Sequence, residues 1–270
     1  MDLILIKILI SMIIVIIFAE VSTRINPVLG GILSGLPLGA GLSVYFISYK
    51  ESIPFLVKGI PWAIVALASS ILFCLSYFII GKYFKLNNKI LSITLCSLGG
   101  FASFFISGYF INKLKLGLFS AIILFVIIYF TNIFITKKIP MISKYKRQKK
   151  TSISTFLLRG LLAGIIISLF TEIASIAGSR WAGILSSFPS TLFALLVILH
   201  FEGDDKIYPA VIYGFSFSIS TLAIFYLLCW YLLPMLGLNQ GFIIIYFISI
   251  LYLFIISKMK NLLINKKSVY

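Results

Sequence analysis

The chain has 270 residues, of which 61% are hydrophobic and only 11% are charged, and it carries a formal net charge of +16. Soluble domains contain about 45–50% apolar and about 25% charged residues, so this composition excludes a soluble protein and, with it, a soluble basic module that binds nucleic acid. The basic residues are expected instead at helix ends and in loops, where Lys and Arg fix the orientation of a membrane protein.

Apolar runs near 20 residues in length follow one another along almost the whole chain. A helix of about 20 apolar residues crosses the roughly 30 Å hydrocarbon core of a bilayer, so the sequence predicts an all-α, polytopic helical membrane protein with nine spans. The first run has no basic segment before it and no small-residue cleavage site after it, which indicates a retained helix and not a signal peptide. The predicted spans are residues 3–19, 28–49, 55–80, 90–111, 116–135, 153–177, 181–201, 207–236 and 241–256.

One stretch of the chain occurs twice. Residues 18–37 and 170–189 align at a constant offset of 152, and further positions continue the alignment at an offset of 155. The matching pairs are Phe18 with Phe170, Glu20 with Glu172, Gly31 with Gly183, Ile32 with Ile184, Leu33 with Leu185, Ser34 with Ser186, Pro37 with Pro189, Pro54 with Pro209, Gly59 with Gly214, and Cys74 with Cys229. This internal duplication predicts a first repeat of four spans over residues 1–112, an extra helix with a basic linker over 113–151, and a second repeat of four spans over 152–270.

The predicted spans also give a direction to each repeat. Five spans separate the start of the first repeat from the start of the second, and because five is odd, the repeats are expected to insert in opposite directions. Most of the 23 Lys and Arg residues fall on one side of the membrane when the basic linker at 137–150 is placed in the cytoplasm. We therefore expect a multi-pass protein of a prokaryotic cytoplasmic (inner) membrane, with its N-terminus outside and its C-terminus inside. Inverted repeats are the construction of many secondary transporters.

Two carboxylates hold equivalent places at the ends of apolar runs. They are Glu20 and Glu172, in a chain with only seven acidic residues. A carboxylate at the edge of a bilayer is costly and by default marks an ion or substrate path, so we predict that this pair binds a proton, another coupling cation or a cationic substrate. The alternative is that each glutamate caps the following half-turn or pairs with Arg24 or Arg180.

The segment G-I-L-S-x-x-P, present in both repeats, is the second candidate. A proline inside a helix removes a backbone donor and frees a carbonyl about one turn earlier, and small residues four apart let helices approach closely. The predicted site residues are Ser34, Pro37, Ser186 and Pro189, and the predicted helix-packing residues are Gly31, Gly35, Gly183 and Ser187. A helix broken near the midplane would form a binding element; the alternative is a packing kink.

The sequence contains few of the residue patterns that form catalytic or metal-binding sites. His200 is the single histidine, and Glu202, Asp204 and Asp205 follow it; these four could hold a metal, but a solvated acidic loop at the cytoplasmic end of the seventh span is the favoured interpretation. The three cysteines lie in apolar runs and give neither a disulfide framework nor metal-ligand spacing. We expect no enzyme activity, no cofactor and no metal.

The second repeat also carries a family resemblance. Residues 179–200, S-R-W-A-G-I-L-S-S-F-P-S-T-L-F-A-L-L-V-I-L-H, together with the loop and apolar helix that follow, are similar to the GlpM-like small bacterial membrane proteins. Those are chains of about four helices with a similar A-G-x-x-x-x-F-P element after the first span. The resemblance covers residues 153–257, with a fainter match over 1–110, where Gly35-Leu36-Pro37 stands and no Thr follows the proline. It implies a tandem version of such a unit, joined by the fifth helix, and names no substrate.

These patterns together predict a secondary transporter of a small molecule or ion, with alternating access between two inverted repeats and coupling to a proton or cation through the paired glutamates. The alternative is a non-catalytic membrane subunit or scaffold that docks a partner through its glycine-rich helix faces, and an intramembrane lipid-modifying enzyme ranks last. The expected partners are the lipid bilayer and an unidentified small-molecule or ion substrate, with no nucleic acid. The small-residue faces are also compatible with a homodimer.

Single cysteines in the two duplicated loops test the opposed insertion of the repeats. In a variant that lacks the native cysteines, we expect Ser179→Cys to react with a membrane-impermeant thiol reagent added to intact cells and Thr23→Cys not to react. Labelling of both positions, or of neither, would make the repeats parallel and would favour the scaffold alternative.

Overall fold

The computed structural model of the protein describes residues 9, 12–13, 31–84, 88–136, 153–201 and 208–267, and all regular structure in these ranges is helical. Residues 31–33 are helical and lead, through a turn at 34–37, into the first long element. The elements are α1 (Leu38–Lys50), α2 (Ile53–Tyr83), α3 (Lys89–Lys113), α4 (Leu118–Thr136), α5 (Ile153–Ala177), α6 (Ser179–Ser186), α7 (Ser190–Phe201), α8 (Tyr208–Leu236) and α9 (Leu238–Lys267).

The helices confirm a polytopic helical architecture. Within the described ranges, eight helical stretches are long and apolar enough to cross a membrane. They correspond one by one to the second through ninth predicted spans, with α6 and α7 together making one stretch over Ser179–Phe201. The first predicted span, residues 3–19, lies almost wholly outside the described residues, so the total of nine stays a prediction.

Short turns with specific chemistry join neighbouring helices. The Ser52 side chain accepts a hydrogen bond from the Phe55 N–H at 3.3 Å and caps α2, and the Asn88 side chain accepts two N–H groups of the first turn of α3. Gly178, between α5 and α6, and Gly237, between α8 and α9, have φ of 90° and 73°. A left-handed backbone suits glycine at a helix end, and these two turns therefore reverse the chain within one or two residues.

The two stretches that contain α1 and α6–α7 are the most deeply buried, the long helices α2 and α8 pack beside them, and α3, α4 and α9 are the most exposed. Helix α2 packs against α3, α4, α6 and α8. Large apolar side chains on the outer helices are exposed, among them Phe119, Phe130, Phe134, Ile243, Phe247 and Phe254. Apolar side chains exposed along whole helices suit contact with lipid tails, which would solvate them where water would not.

Contacts between α1 and α5 show that these two helices run in the same direction. Leu42 and Phe46 of α1 pack with Ile167 of α5, and further along both helices Lys50 forms a salt bridge with Glu172. Because the contact advances along α5 as the chain advances along α1, the helices are parallel.

Helix α5 runs against the direction of α6 and α7. The early residue Ala163 packs with Ala194 near the middle of α7, while Gly178 joins the far end of α5 directly to α6. Since α5 is parallel to α1 and antiparallel to α7, helices α1 and α7 run in opposite directions.

Glycines allow α2 and α8 each to be crossed closely by a helical segment from the other half of the chain. A Cβ on Gly183 of α6 would collide with the carbonyl of Gly59 on α2. A Cβ on Gly31 would likewise collide with the carbonyl of Val211 on α8 and would lie 3.0 Å from the Cα of Gly214. The glycines that meet at these two crossings are those that the duplication aligns with one another.

Enlarging a crossing glycine should destabilise the fold. In Gly183→Ala the new methyl group meets backbone, which cannot rotate away, so we expect a loss of about 1–3 kcal/mol in the free energy of unfolding, as for other overpacked interiors. The measurement is thermal unfolding of the purified protein in detergent. Gly117→Ala is the matched control, since the nearest atom to a Cβ there is 4.0 Å away; an equal loss in both variants would contradict the close crossing.

Candidate functional site

The helix that contains residues 31–33 breaks at Pro37. The N–H groups of Gly35 and Leu36 donate to carbonyls three residues back, each at 3.0 Å, which tightens the last turn before the break. The Leu38 N–H then donates to the Leu36 carbonyl at 2.7 Å, around Pro37 with φ −74° and ψ 47°. This is close to an inverse γ-turn. The helix resumes as the Gly41 N–H donates to the Pro37 carbonyl.

The second copy of the segment breaks in the same way. The N–H groups of Ser187 and Phe188 donate three residues back at 3.1 and 3.2 Å, and the Ser190 N–H donates to the Phe188 carbonyl at 2.8 Å. The Phe193 N–H then donates to the Pro189 carbonyl, which begins α7. All four hydrogen bonds have a counterpart in the first break at the offset of 152 residues, so the predicted broken helices are present in both copies.

The two breaks meet. The Ser190 hydroxyl lies against the α-carbon of Gly39, where a Cβ would collide with it, and the Thr191 methyl group would lie 3.5 Å from that Cβ. Gly39 and Thr191 are themselves equivalent positions of the two copies. Because α1 and α7 run in opposite directions from this point, the crossing brings the first turn of one helix against the first turn of the other.

Hydroxyl groups from the surrounding helices bind carbonyls at both breaks. Tyr246 of α9 donates to the Pro37 carbonyl at 2.7 Å, and Ser70 of α2 donates to the Ser187 carbonyl at 2.6 Å. A carbonyl freed from its helix and buried without a donor costs several kcal/mol. The Ser70 hydroxyl supplies that donor to the Ser187 carbonyl, whereas the Pro37 carbonyl accepts both the Tyr246 hydroxyl and the Gly41 N–H.

The predicted serines differ in their surroundings. Ser186 is 1% exposed, and its hydroxyl lies 2.8 Å from the Gly183 carbonyl and 3.1 Å from the Tyr226 hydroxyl. Ser34 is half-buried and also has a bonding partner. Pro37 and Pro189 are both buried. The structure thus brings the two proline breaks together, whereas Ser186 points towards α8.

Of the two predicted glutamates, Glu172 lies within the described residues and Glu20 lies outside them. Glu172 forms a salt bridge with Lys50 at the end of α1, and the two side chains are 34% and 33% exposed. The alternative interpretation of the sequence pairs each glutamate with Arg24 or Arg180. Arg180 instead lies over the Trp62 ring at 4.7 Å and donates to the Asn112 carbonyl. Glu172 therefore connects α5 to α1, and thus one copy to the other.

His200 is buried, so its placement in a solvated loop is wrong for the histidine itself. Its ring is 5% exposed and stacks on Tyr208 with centroids 5.3 Å apart. The Tyr77 hydroxyl lies 3.2 Å from Nδ1 and the Ser92 hydroxyl 3.2 Å from Nε2. Both ring nitrogens thus have a hydrogen-bond partner, which leaves neither free to hold a metal in this arrangement. The three acidic residues that follow lie outside the described ranges.

One side chain at the crossing was not predicted from the sequence. Ser190 is 3% exposed, and its hydroxyl has no hydrogen-bond partner within the described part of the chain. A buried hydroxyl without a partner costs about 1–3 kcal/mol, so its position calls for an explanation. The available signal was its place directly after Pro189, since a serine that follows a helix-breaking proline stands at the start of a new helix.

Neither metal-binding clusters among the described residues nor comparisons with known proteins assign a function. Within the described ranges, no three His, Cys, Asp or Glu side chains group in a way that could hold a metal ion. No protein-family model, curated protein or solved structure matches the chain. The resemblance to GlpM-like proteins stays a prediction.

The salt bridge between the copies should contribute modestly to stability. Because both side chains are about a third exposed, a double-mutant cycle on Lys50→Gln and Glu172→Gln should give a coupling free energy of about 0.2–1 kcal/mol, as for other exposed pairs. Unfolding of the purified protein in detergent measures it. Glu51→Gln, at a neighbouring exposed acid, is the control. Strictly additive effects of the two substitutions would rule out the pair.

Proposed function

We propose that the protein is a secondary transporter of a small molecule or ion, built from two inverted repeats and working by alternating access. The observation that carries this proposal is the pair of helices that break at equivalent prolines, run in opposite directions and cross at their breaks. Discontinuous helices at a repeat interface near the midplane typically form the substrate site of such transporters.

The inversion of the repeats has support from described residues alone. The stretch Gly31–Lys50 and its counterpart Ser179–Phe201 are the first and sixth of the eight apolar stretches. If each stretch crosses the membrane once, five crossings reverse the direction, in agreement with the opposed courses of α1 and α7. Two glycine contacts join aligned positions of the copies, Gly31 with Gly214 and Gly59 with Gly183. Repeats related by a twofold axis would make such a pair of equivalent contacts.

The interface between the repeats is suited to a rocking motion. It is formed at the crossings by glycine against backbone, and such small-residue faces approach closely without interlocking large side chains. Alternating access in inverted-repeat transporters is largely a rigid rocking of one repeat against the other. In this proposal the crossing of Gly39 and Ser190 is the fixed centre, and the ends of α1 and α7 open in turn.

The predicted site residues receive roles on this basis. Glu20 and Glu172, one at each face of the membrane, bind the coupling proton or cation. The salt bridge of Glu172 with Lys50 holds the two copies together at one end of α1 until that ion displaces it. Ser34, Pro37, Ser186 and Pro189 shape the central site. The proposed setting is a prokaryotic cytoplasmic membrane with the N-terminus outside, so that the Lys50–Glu172 pair lies at the outer face. The tandem arrangement of GlpM-like units belongs to the same proposal.

Transport measurements on carboxyl variants test this function. Protein reconstituted in proteoliposomes on a solid-supported membrane should give transient currents when pools of small metabolites and ions are supplied. Glu20→Gln/Glu172→Gln should abolish them, while the unfolding temperature falls no further than in Lys50→Gln, which breaks the same salt bridge. The matched control is Glu51→Gln, which should keep the currents. Currents unchanged in the double variant would remove the glutamates from the mechanism. No current with any pool, together with a stoichiometric protein partner after mild solubilisation, would favour a scaffold instead.

A further inference from the structure

The crossing of the two broken helices places two helix N-termini head to head. Gly39 is the second residue of α1, and Ser190 and Thr191 are the first and second residues of α7. The two helices have 13 and 12 residues and leave the crossing in opposite directions. Each contributes a partial positive charge of about half a unit from its aligned peptide dipoles, so the two ends repel one another unless something negative lies between them.

No side chain in the described ranges compensates these ends. The first turns of α1 and α7 contain no acidic residue, and α1 has no side-chain cap. The first N–H groups of a helix have no partner within the helix. The Leu38 and Ser190 N–H groups donate to carbonyls within the two turns. Four further N–H groups donate to no acceptor within the described part of the chain, namely those of Gly39, Ala40, Thr191 and Leu192. By contrast, the carbonyls of Pro37 and Ser187 at the same breaks have hydroxyl donors.

The Ser190 hydroxyl is the second and independent observation at this point. It is almost completely buried, it lies against Gly39 at the first turn of the opposite helix, and it has no partner within the described residues. A hydroxyl can donate to an anion, and because Gly39 has no side chain, the Ser190 hydroxyl reaches the first turn of α1. The crossing is therefore rich in donors and poor in acceptors.

We propose that the crossing of α1 and α7 binds the carboxylate group of a small-molecule substrate, through the first N–H groups of both helices and the Ser190 hydroxyl. Two partial charges of about half a unit sum to about one unit, which matches a monovalent anion better than a dianion. A carboxylate has two oxygen atoms, one for each helix. This inference rests on the proposed transport function and names its substrate class.

Binding to the purified full-length protein in detergent tests the proposal without requiring transport. Sodium formate, acetate and benzoate, each exchanged against sodium chloride at constant ionic strength, should raise the unfolding temperature in a saturable way, whereas sodium phosphate should not. Replacing sodium by choline in the chloride buffer serves as the control for cation effects and should leave the unfolding temperature unchanged.

Variants at the crossing locate the effect. Ser190→Ala should raise the half-saturating carboxylate concentration about tenfold or more, since a hydrogen bond to a charged group contributes about 1.5–3 kcal/mol. Gly39→Ala should abolish the response, and Ser190→Asp, which supplies its own carboxylate, should remove it as well. The matched control is Ser48→Ala: Ser48 is equally buried and unpartnered within the described residues but lies near the other end of α1, and its loss should leave the response unchanged.

Several results would overturn the proposal: no saturable response to any of the three carboxylates, a response to chloride or phosphate alone, or one that Ser190→Ala and Ser48→Ala change equally. The outcome is separable from that of the transport test. Currents in the absence of carboxylate binding would support the transport function and contradict this binding site. Carboxylate binding in the absence of currents would support this binding site and contradict the transport function.

Discussion

The structure depends on one constraint, which is that every backbone polar group inside hydrocarbon must have a partner. A continuous helix satisfies it alone, but a helix broken at a proline does not. Here both breaks lie inside the protein, where Ser70 of α2 and Tyr246 of α9 donate to carbonyls at the broken turns. Glycines leave room for both donors: α6 crosses α2 closely at Gly183 and Gly59, and a Cβ on Gly41 would collide with the Tyr246 hydroxyl. The packing of the outer helices follows from this centre.

The two broken helices share the hydrogen bonds of their breaks and differ in chemistry at their far ends. At one end of the pair, Lys50 and Glu172 form an ion pair that is about a third exposed. At the other, His200 is enclosed by Tyr77, Tyr208 and Ser92. The first-copy position that aligns with His200 is Ser48, so the histidine cluster exists in one copy alone. The two ends of the paired broken helices therefore differ in charge and in exposure.

Much of the fold could be predicted from the sequence because it follows from local pattern. Apolar run length set the spans, and the repeated proline with its glycines marked both breaks. The partners of the charged and polar groups could not be predicted, since they depend on tertiary contacts between distant segments. Lys50 lies 122 positions from Glu172, and His200 looked solvated because acidic residues follow it, although its ring turns inward to Tyr77. The Ser190 hydroxyl lies beside Gly39 of the other copy, a contact between distant segments that the sequence does not reveal.

The glycine crossings also have a consequence for biogenesis. Residues 31–33 cross α8, and α6 crosses α2, so each half of the chain supplies the helix that completes the centre of the other. Until α6 to α8 have left the ribosome, the broken segment of the first half has no crossing partner for its exposed backbone. The nascent first half is therefore an unfinished intermediate. It must either enter the lipid phase after the second half is synthesised or be shielded from lipid until then.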